Sequence, residues 1–389
     1  MRQALEGSQA VARAVASCRP GVVAAYPITP QTHIVENISK LVADGLCDCE
    51  MVSVESEFSA ASVVLGAAAT GSRAYTATSS QGILLMAEVL YNIAGMRIPL
   101  VLTCANRAVS APISIWNDQQ DSMAVRDAGW IQLYCADNQE ATDATVQAFR
   151  IAERMELPVM VCMDGFVLTH TMEPIDLPDQ DQVDGFLPPY HFSRTLDSGH
   201  PMTLGGLAGP DYYAEIRHAH HRALLASETE IVLADRDWAD LTGRASGGLL
   251  AVEGDADAEL AVLAIGSVVG TLREAMQEYE GAKAKLIKLR CFRPFPVEAL
   301  QQACRGVRRL IVLERALSPG GGGILGTEVR AALSELSDPP VVYNYAVGLG
   351  GRDVPMDLYP RLLEAVESGQ GERFSIFDVE LEKLPEEDR

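Results

Sequence analysis

Four short segments of this 389-residue chain place polar or ionisable side chains directly after apolar, strand-like runs. In open α/β sheets, ligands bind in the crevice outside the carboxyl ends of the strands, so these are the places to look for chemistry. The first is Tyr26-Pro27-Ile28-Thr29-Pro30. Its two prolines restrict the backbone and hold the Thr29 hydroxyl in one place; the alternative is a rigid turn in which Thr29 caps the following helix. The second, Val54-Glu55-Ser56-Glu57, offers carboxylates at the start of a helix built mostly from Ala, Ser, Val and Gly. Small side chains there admit a ligand or another chain, although a carboxylate at a helix start is also an ordinary dipole contact. The pattern alone does not separate Glu55 from Glu57. The third segment, TATSSQG at 76–82, can cradle an anion on backbone amides, but it contains neither G-x-G-x-x-G nor G-K-[ST]. The fourth runs from Cys104 through Asn106 and Arg107 to Asp121. A guanidinium directly after an apolar strand can grip a carboxylate bidentately, which lysine does less well; the alternative is an internal pair with Asp118 or Asp121.

Other features argue for quieter roles. His218 and His221 lie one helical turn apart without an accompanying acid or Cys, which fits a solvated helix face. Gly320 to Gly323 read as a glycine turn. The eight cysteines sit mostly in apolar runs and fit buried, reduced thiols. Cys47 and Cys49 are the one close pair, and with no C-x2-C repeat the chain carries no ferredoxin-type iron–sulfur cluster of its own. No set of residues has metal-ligand spacing.

These segments need a scaffold. Strands are expected at 22–26, 51–54, 74–78, 100–103, 132–135 and 159–163, with helices at 32–43, 58–70, 82–94 and 140–155. Continuous apolar strands alternating with helices predict an α/β fold whose parallel sheet is covered on both faces. The stretch 173–213, rich in Pro, Asp and Gly, reads as an irregular surface arm, followed by a helix at 211–227. A Gly/Ser/Asp-rich stretch at 241–257 marks a domain boundary. Strands at 260–264, 284–289, 309–313 and 341–345 then build a second, smaller α/β domain, and the tail from Asp378 is acidic and solvated. With 31 basic against 53 acidic residues the net charge is −22, which repels phosphate backbones and anionic lipid, so nucleic acid and membrane surfaces are not expected partners. The N-terminal stretch is amphipathic and lacks an apolar signal core, and a cytoplasmic protein is expected.

Taken together, YPITP, VESE with its small-residue helix, TATSSQG, NRAVSAPISIWNDQQDSM and the late VGLGGRD resemble one family along nearly the whole chain. It is similar to the alpha subunit of heteromeric pyruvate:ferredoxin oxidoreductases, within the thiamine-diphosphate-dependent 2-oxoacid:ferredoxin oxidoreductases. The resemblance implies a pyrimidine-binding thiamine diphosphate domain at 1–240, with the arm 173–213, and a transketolase C-terminal-like domain at 255–370. It implies that Glu57 contacts the aminopyrimidine ring at N1′ and favours its imino tautomer, and that Thr29 and Arg107 bind the 2-oxoacid carboxylate. Pro27, Glu57 and Arg107 would line the cofactor.

The implied reaction converts pyruvate, coenzyme A and oxidised ferredoxin to acetyl-CoA, carbon dioxide and reduced ferredoxin, as in anaerobic carbon metabolism. The implied beta subunit holds the diphosphate, Mg2+ and a [4Fe-4S] cluster, with gamma and delta subunits or fusions completing the complex. Branched-chain 2-oxoacids, 2-oxoglutarate or oxalate are the alternative substrates, Gln120 falls where relatives vary, and a non-catalytic scaffold is the alternative role. An NAD-dependent Rossmann enzyme would need the glycine fingerprint that is missing here.

Overall fold

The computed structural model describes residues 2–255, 257–279, 283–368 and 372–388. The chain opens with β1 (Arg2–Glu6) and α1 (Gly7–Ser17). It then alternates through β2 (Val22–Ala25), α2 (Thr32–Ala43), β3 (Glu50–Ser53), α3 (Glu57–Ala69), β4 (Ala74–Thr78), α4 (Gln81–Gly95) and β5 (Val101–Asn106). The short α5 (Gln120–Ala124), β6 (Ile131–Tyr134), α6 (Asn138–Met155) and β7 (Val159–Asp164) follow. Next come β8 (Met172–Asp176), α7 (Gln180–Phe186) and the 33-residue α8 (Pro210–Thr242). The later part contains β9 (Leu250–Gly254), β10 (Leu260–Ala264), α9 (Val268–Glu278), β11 (Ala284–Leu289), β12 (Cys291–Arg293) and α10 (Val297–Ala303). It closes with β13 (Arg309–Glu314), α11 (Ile324–Leu333), β14 (Val341–Ala346), α12 (Leu358–Glu367) and β15 (Ser375–Ile376).

The expected parallel α/β class holds. One sheet has the order β12-β6-β7-β5-β4-β2-β3 and is parallel except for β12. The other has the order β15-β14-β13-β10-β11-β9 and is parallel except for β9. Strands β4 to β7 are buried along their whole length, which is why they read as unbroken apolar runs. One apolar cluster passes from Ala60, Ile83 and Trp130 to Leu263, Ile287 and Leu325, so the two sheets share a core. The chain crosses between them again at β12, which leaves the second sheet's neighbourhood to pair with β6.

Several local readings change. The arm is only partly irregular: β8 pairs antiparallel with β1, a strand that the amphipathic N-terminal pattern did not suggest. Its remainder lies on the first unit, where Arg73 donates to the Pro188 carbonyl and Leu196 N–H to Ala69. The helix expected at 211–227 continues to Thr242, because Ile231, Ala234 and Trp238 keep an apolar stripe buried and Arg150 of α6 bonds Glu230 and Asp237. Gly243 then stops it at φ 76°, the left-handed region glycine enters without strain. The boundary stretch contains β9, whose hydrogen bonds come from β11. The expected outer limits, residues 1 and 370, lie outside the described residues. No described helix is long and apolar enough to cross a membrane.

Candidate functional site

All four sequence segments lie at the carboxyl-terminal ends of strands of the first sheet. Glu57 begins α3 behind Ser56, whose hydroxyl caps the helix by accepting from Ser59 N–H. Glu57 is 7% exposed, and its carboxylate finds no hydrogen-bond donor among the described residues. It lies against Gly82 of α4: a Cβ at that glycine would stand 2.9 Å from Glu57 Oε1 and 2.1 Å from Thr78 Oγ1. Any side chain at 82 would therefore fill the space beside the carboxylate. The Thr78 hydroxyl beside it is buried without a partner, as are the hydroxyls of Thr76 and Ser79 in the same segment. Glu55 is different. It is exposed, and the Ser59 hydroxyl donating to it holds its carboxyl below the usual range.

A buried carboxylate, a glycine that keeps its flank open and the unpartnered Thr78 hydroxyl fit a flat heterocycle carrying N–H donors, the chemistry of an aminopyrimidine.

Thr29 and Arg107 are brought together. Arg107 Nη1 donates to the Thr29 carbonyl at 2.9 Å and Nε to the Ser114 carbonyl at 3.0 Å. Its Nη2 has no hydrogen-bond partner among the described residues. The side chain is not paired with Asp118 or Asp121; only the Arg107 backbone N–H reaches Asp121. Burial lowers the guanidinium pKa and Asp121 opposes this, but an arginine remains charged. The Thr29 hydroxyl does not cap α2, which starts without a side-chain cap, and Thr29 is exposed. Pro27 lies apart, lining a groove of about 420 Å³ between α2 and β3 with Ser53 and Val54. Neither Glu57 nor Arg107 lines that groove.

Sequence reasoning offered Asp121 only as a salt-bridge partner and so missed its role as a hub. Its carboxylate accepts from the backbone N–H groups of Ser80, Arg107 and Ser122 and from Asn106 Nδ2, at 2.7–3.0 Å, inside a fully buried pocket. Ser80 sits at φ 49° directly before α4, so this contact holds a strained helix start as well as Arg107. Asp121→Ala leaves three buried N–H groups unpaired at roughly 1–3 kcal/mol each. The expected result is a marked loss of thermal and urea stability, larger than for Asp121→Asn.

The second unit grips the same loop. Asp164, at the end of β7, accepts from Gln119 Nε2, Ser267 N–H and Ser267 Oγ, with Arg315 Nη1 at 3.5 Å. Gln119 N–H donates to the Arg315 carbonyl, and Gly350 N–H, within VGLGGRD, donates to Asp118. Asp164 and Arg315 were missed; the available signal was an acid at a strand's carboxyl end, the same mark that singled out the other segments.

Burial above all pushes the Asp118 carboxyl up to about 6; Asp121 adds to this, and the Gln120 and Gly350 N–H bonds oppose it. An unfolded aspartate titrates near 3.9, so the folded chain keeps a proton that the unfolded chain has lost between about pH 4 and pH 6. Its contribution is complete below that window and is lost as pH rises through about 6. Asp118→Asn should therefore gain on the parent across the window, levelling at about 2–3 kcal/mol. Urea midpoints at about pH 4 and about pH 7 measure this, and an equal difference at both would contradict it.

The remaining candidates take structural places. His218 and His221 are exposed on α8, while His220 between them is buried against the Gly129 carbonyl. The amides after the glycine turn, at Ile324, Leu325 and Gly326, are already bonded by the Glu314 carboxylate. All eight cysteines are free, seven of them buried.

Family models match both units: residues 13–235 match "Pyruvate flavodoxin/ferredoxin oxidoreductase, thiamine diP-bdg" and residues 258–358 match "Pyruvate:ferredoxin oxidoreductase core domain II". The chain belongs to the pyruvate:ferredoxin oxidoreductase family. Family membership makes it part of an oxidoreductase, and the first unit a thiamine diphosphate-binding one. Among relatives in this family, pyruvate synthase subunit PorA of Methanosarcina barkeri is 46% identical over 366 residues, covering 92% of this chain and 91% of the relative. Ketoisovalerate oxidoreductase subunit VorA of Pyrococcus abyssi is 40% identical over 380 residues, covering 96% of each. A solved 2-oxoglutarate:ferredoxin oxidoreductase from Magnetococcus marinus, with 2-oxoglutarate, coenzyme A and succinyl-CoA bound, shares the fold with TM-score 0.71 at 21% identity. The match covers 94% of this chain and 65% of that one.

Proposed function

We propose that this chain is the alpha-type subunit of a cytoplasmic pyruvate:ferredoxin oxidoreductase whose active site is completed by a beta subunit. The observation that carries the reading is Arg107, held over Thr29 by two carbonyls with Nη2 unspent, on the strand-end row that also bears the partnerless Glu57 carboxylate. Asp121 ties that row together, since it bonds Arg107 and Ser80 while Glu57 packs on Gly82.

Thiamine diphosphate, when bound, supplies the nucleophilic carbon for the 2-oxo group and takes up the electrons left by decarboxylation. From its largely buried position Glu57 would accept a hydrogen bond at the ring nitrogen N1′ and share its proton. Arg107 and the Thr29 hydroxyl bind the substrate carboxylate and orient the bond that breaks as carbon dioxide leaves. Pro27 stiffens the turn that carries Thr29. With no C-x2-C repeat in this chain, the [4Fe-4S] clusters that relay single electrons to ferredoxin belong to partner subunits, as do the diphosphate and its Mg2+.

Pyruvate is placed first because the 46% identical relative is a pyruvate synthase subunit, and a branched-chain 2-oxoacid second because of the 40% identical ketoisovalerate relative. The test is dye reduction by the complex purified through this chain, with pyruvate, 2-oxoisovalerate, 2-oxoglutarate or oxalate, with and without coenzyme A. Coenzyme-A-dependent reduction with pyruvate is the expected result. Preference for 2-oxoisovalerate would reassign the substrate, and activity of this chain alone would refute the shared site.

A further inference from the structure

Away from the carboxylate-binding row, two histidines and a glutamate meet from three separate elements. Glu6 ends β1, His33 lies in the first turn of α2, and His170 lies in the loop between β7 and β8. One ligand-type atom from each falls within 4.8 Å of the other two. The imidazole rings stand 4.5 Å apart between centroids, tilted by 34°.

His170 is oriented through its Nδ1, and the Nδ1 of His33 faces Glu6. His33 Nδ1 is 2.6 Å from Glu6 Oε1, and His170 Nδ1 is 2.7 Å from the hydroxyl of buried Thr169, which itself accepts from Phe166 N–H. Neither Nε2 has a hydrogen-bond partner among the described residues. For His170 this is how histidine ligands are commonly held, a hydrogen bond at one nitrogen fixing the tautomer and aiming the other; His33 Nδ1 and Glu6 Oε1 instead face each other directly, and an ion would take the place of the proton between them. Side chains of Glu6 and His33 remain 20% and 43% exposed, so an ion and its waters can enter.

We propose that Glu6, His33 and His170 form a binding site for one divalent transition-metal ion, with zinc as the best-matched species. Two imidazoles and a carboxylate are the donor set that suits zinc or cobalt and that calcium and magnesium use little. Bonds of about 2.0–2.2 Å set neighbouring donors about 3.4 Å apart, a closure that small side-chain rotations supply at a half-exposed site.

The ion would join the β1 end, the first turn of α2 and the post-β7 loop. That loop begins at Gly165, where a Cβ would stand 2.6 Å from Pro30 Cγ, so it lies against the turn that carries Thr29. Phe166 of the same loop lies against both His170 and Trp116, with ring centroids 4.7 and 4.5 Å apart. Binding therefore stiffens a wall of the proposed substrate site without contributing to it. The sequence hid this set because its members lie far apart along the chain.

The experiment is titration of the metal-stripped full chain with zinc by calorimetry and with cobalt(II) by absorption, repeated on His33→Gln, His170→Gln and Cys47→Ser/Cys49→Ser. The thiol variant is needed because Cys47 and Cys49 lie 3.6 Å apart and offer zinc another seat. Expected are one ion per chain in the parent and the thiol variant, affinity lowered at least about tenfold in each histidine variant, and a cobalt spectrum without thiolate charge transfer. No saturable binding, unchanged binding in both histidine variants, or loss of binding in the thiol variant would each overturn the proposal. Should a histidine variant fail to fold, the cobalt spectrum of the parent still decides between imidazole–carboxylate and thiolate ligation.

Discussion

Glu57→Gln in the assembled complex is expected to lower the rate of pyruvate-dependent dye reduction by about 10²-fold or more, the range for losing a positioned acid–base group. Glutamine has nearly the same shape, so it fits the space that Gly82 leaves open and keeps the packing against Thr78. It cannot take up a proton, and its amide offers a donor where the carboxylate offered only acceptors. Folding should be little affected, because the Glu57 carboxylate holds no hydrogen bond within the described chain and Ser56 provides the cap of α3. The thermal midpoint of the variant and its assembly with partner subunits are therefore the controls. Activity within a few-fold of the parent would mean that the chain only supports a catalytic partner. Glu55→Gln, on the exposed side, should leave the rate near that of the parent.

Arg107→Lys should act on substrate recognition. Arg107 spends Nε on Ser114 and Nη1 on Thr29, which leaves Nη2 without a partner among the described residues. A lysine carries one rotatable point charge and cannot satisfy two backbone carbonyls while offering a planar fork to a carboxylate. A hydrogen bond to a charged group contributes about 1.5–3 kcal/mol, so kcat/KM for pyruvate should fall by about 10- to 10²-fold, with KM raised, and further in Arg107→Ala. Unchanged kcat/KM in the lysine variant would remove Arg107 from the carboxylate site. The two substitutions separate the roles, since the Glu57 variant should lose kcat and the Arg107 variant should lose mainly affinity.

Much of the fold was legible because buried parallel strands leave a one-dimensional trace. The expected ranges 74–78, 260–264 and 284–289 coincide with β4, β10 and β11, and 32–43 coincides with α2. Segments that owe their form to a distant partner left no such trace. β1 exists because β8 lies beside it, β9 because β11 does, and β12 extends the other unit's sheet. The second half of α8 was missed because its buried stripe, with Asp235 and Glu230 inside it, looks polar until Arg150 and the Ser246 to Gly248 amides are placed opposite.

The candidate site divides the same way. By itself the sequence determined the strand ends, the small-residue helix behind Glu57 and the guanidinium that follows an apolar strand, because local spacing and residue type suffice for those. It also determined the family, through five motifs in fixed order. Tertiary structure alone decided which acid of VESE is buried, since that depends on Gly82 and Thr78 approaching from α4 and β4. It alone decided that Asp121 serves backbone amides rather than the Arg107 side chain, and that Asp164, Gln119 and Arg315 clamp the two units. Hydrogen-bond partners and burial are properties of three-dimensional neighbours, and residues far apart in sequence become neighbours only when the sheets close.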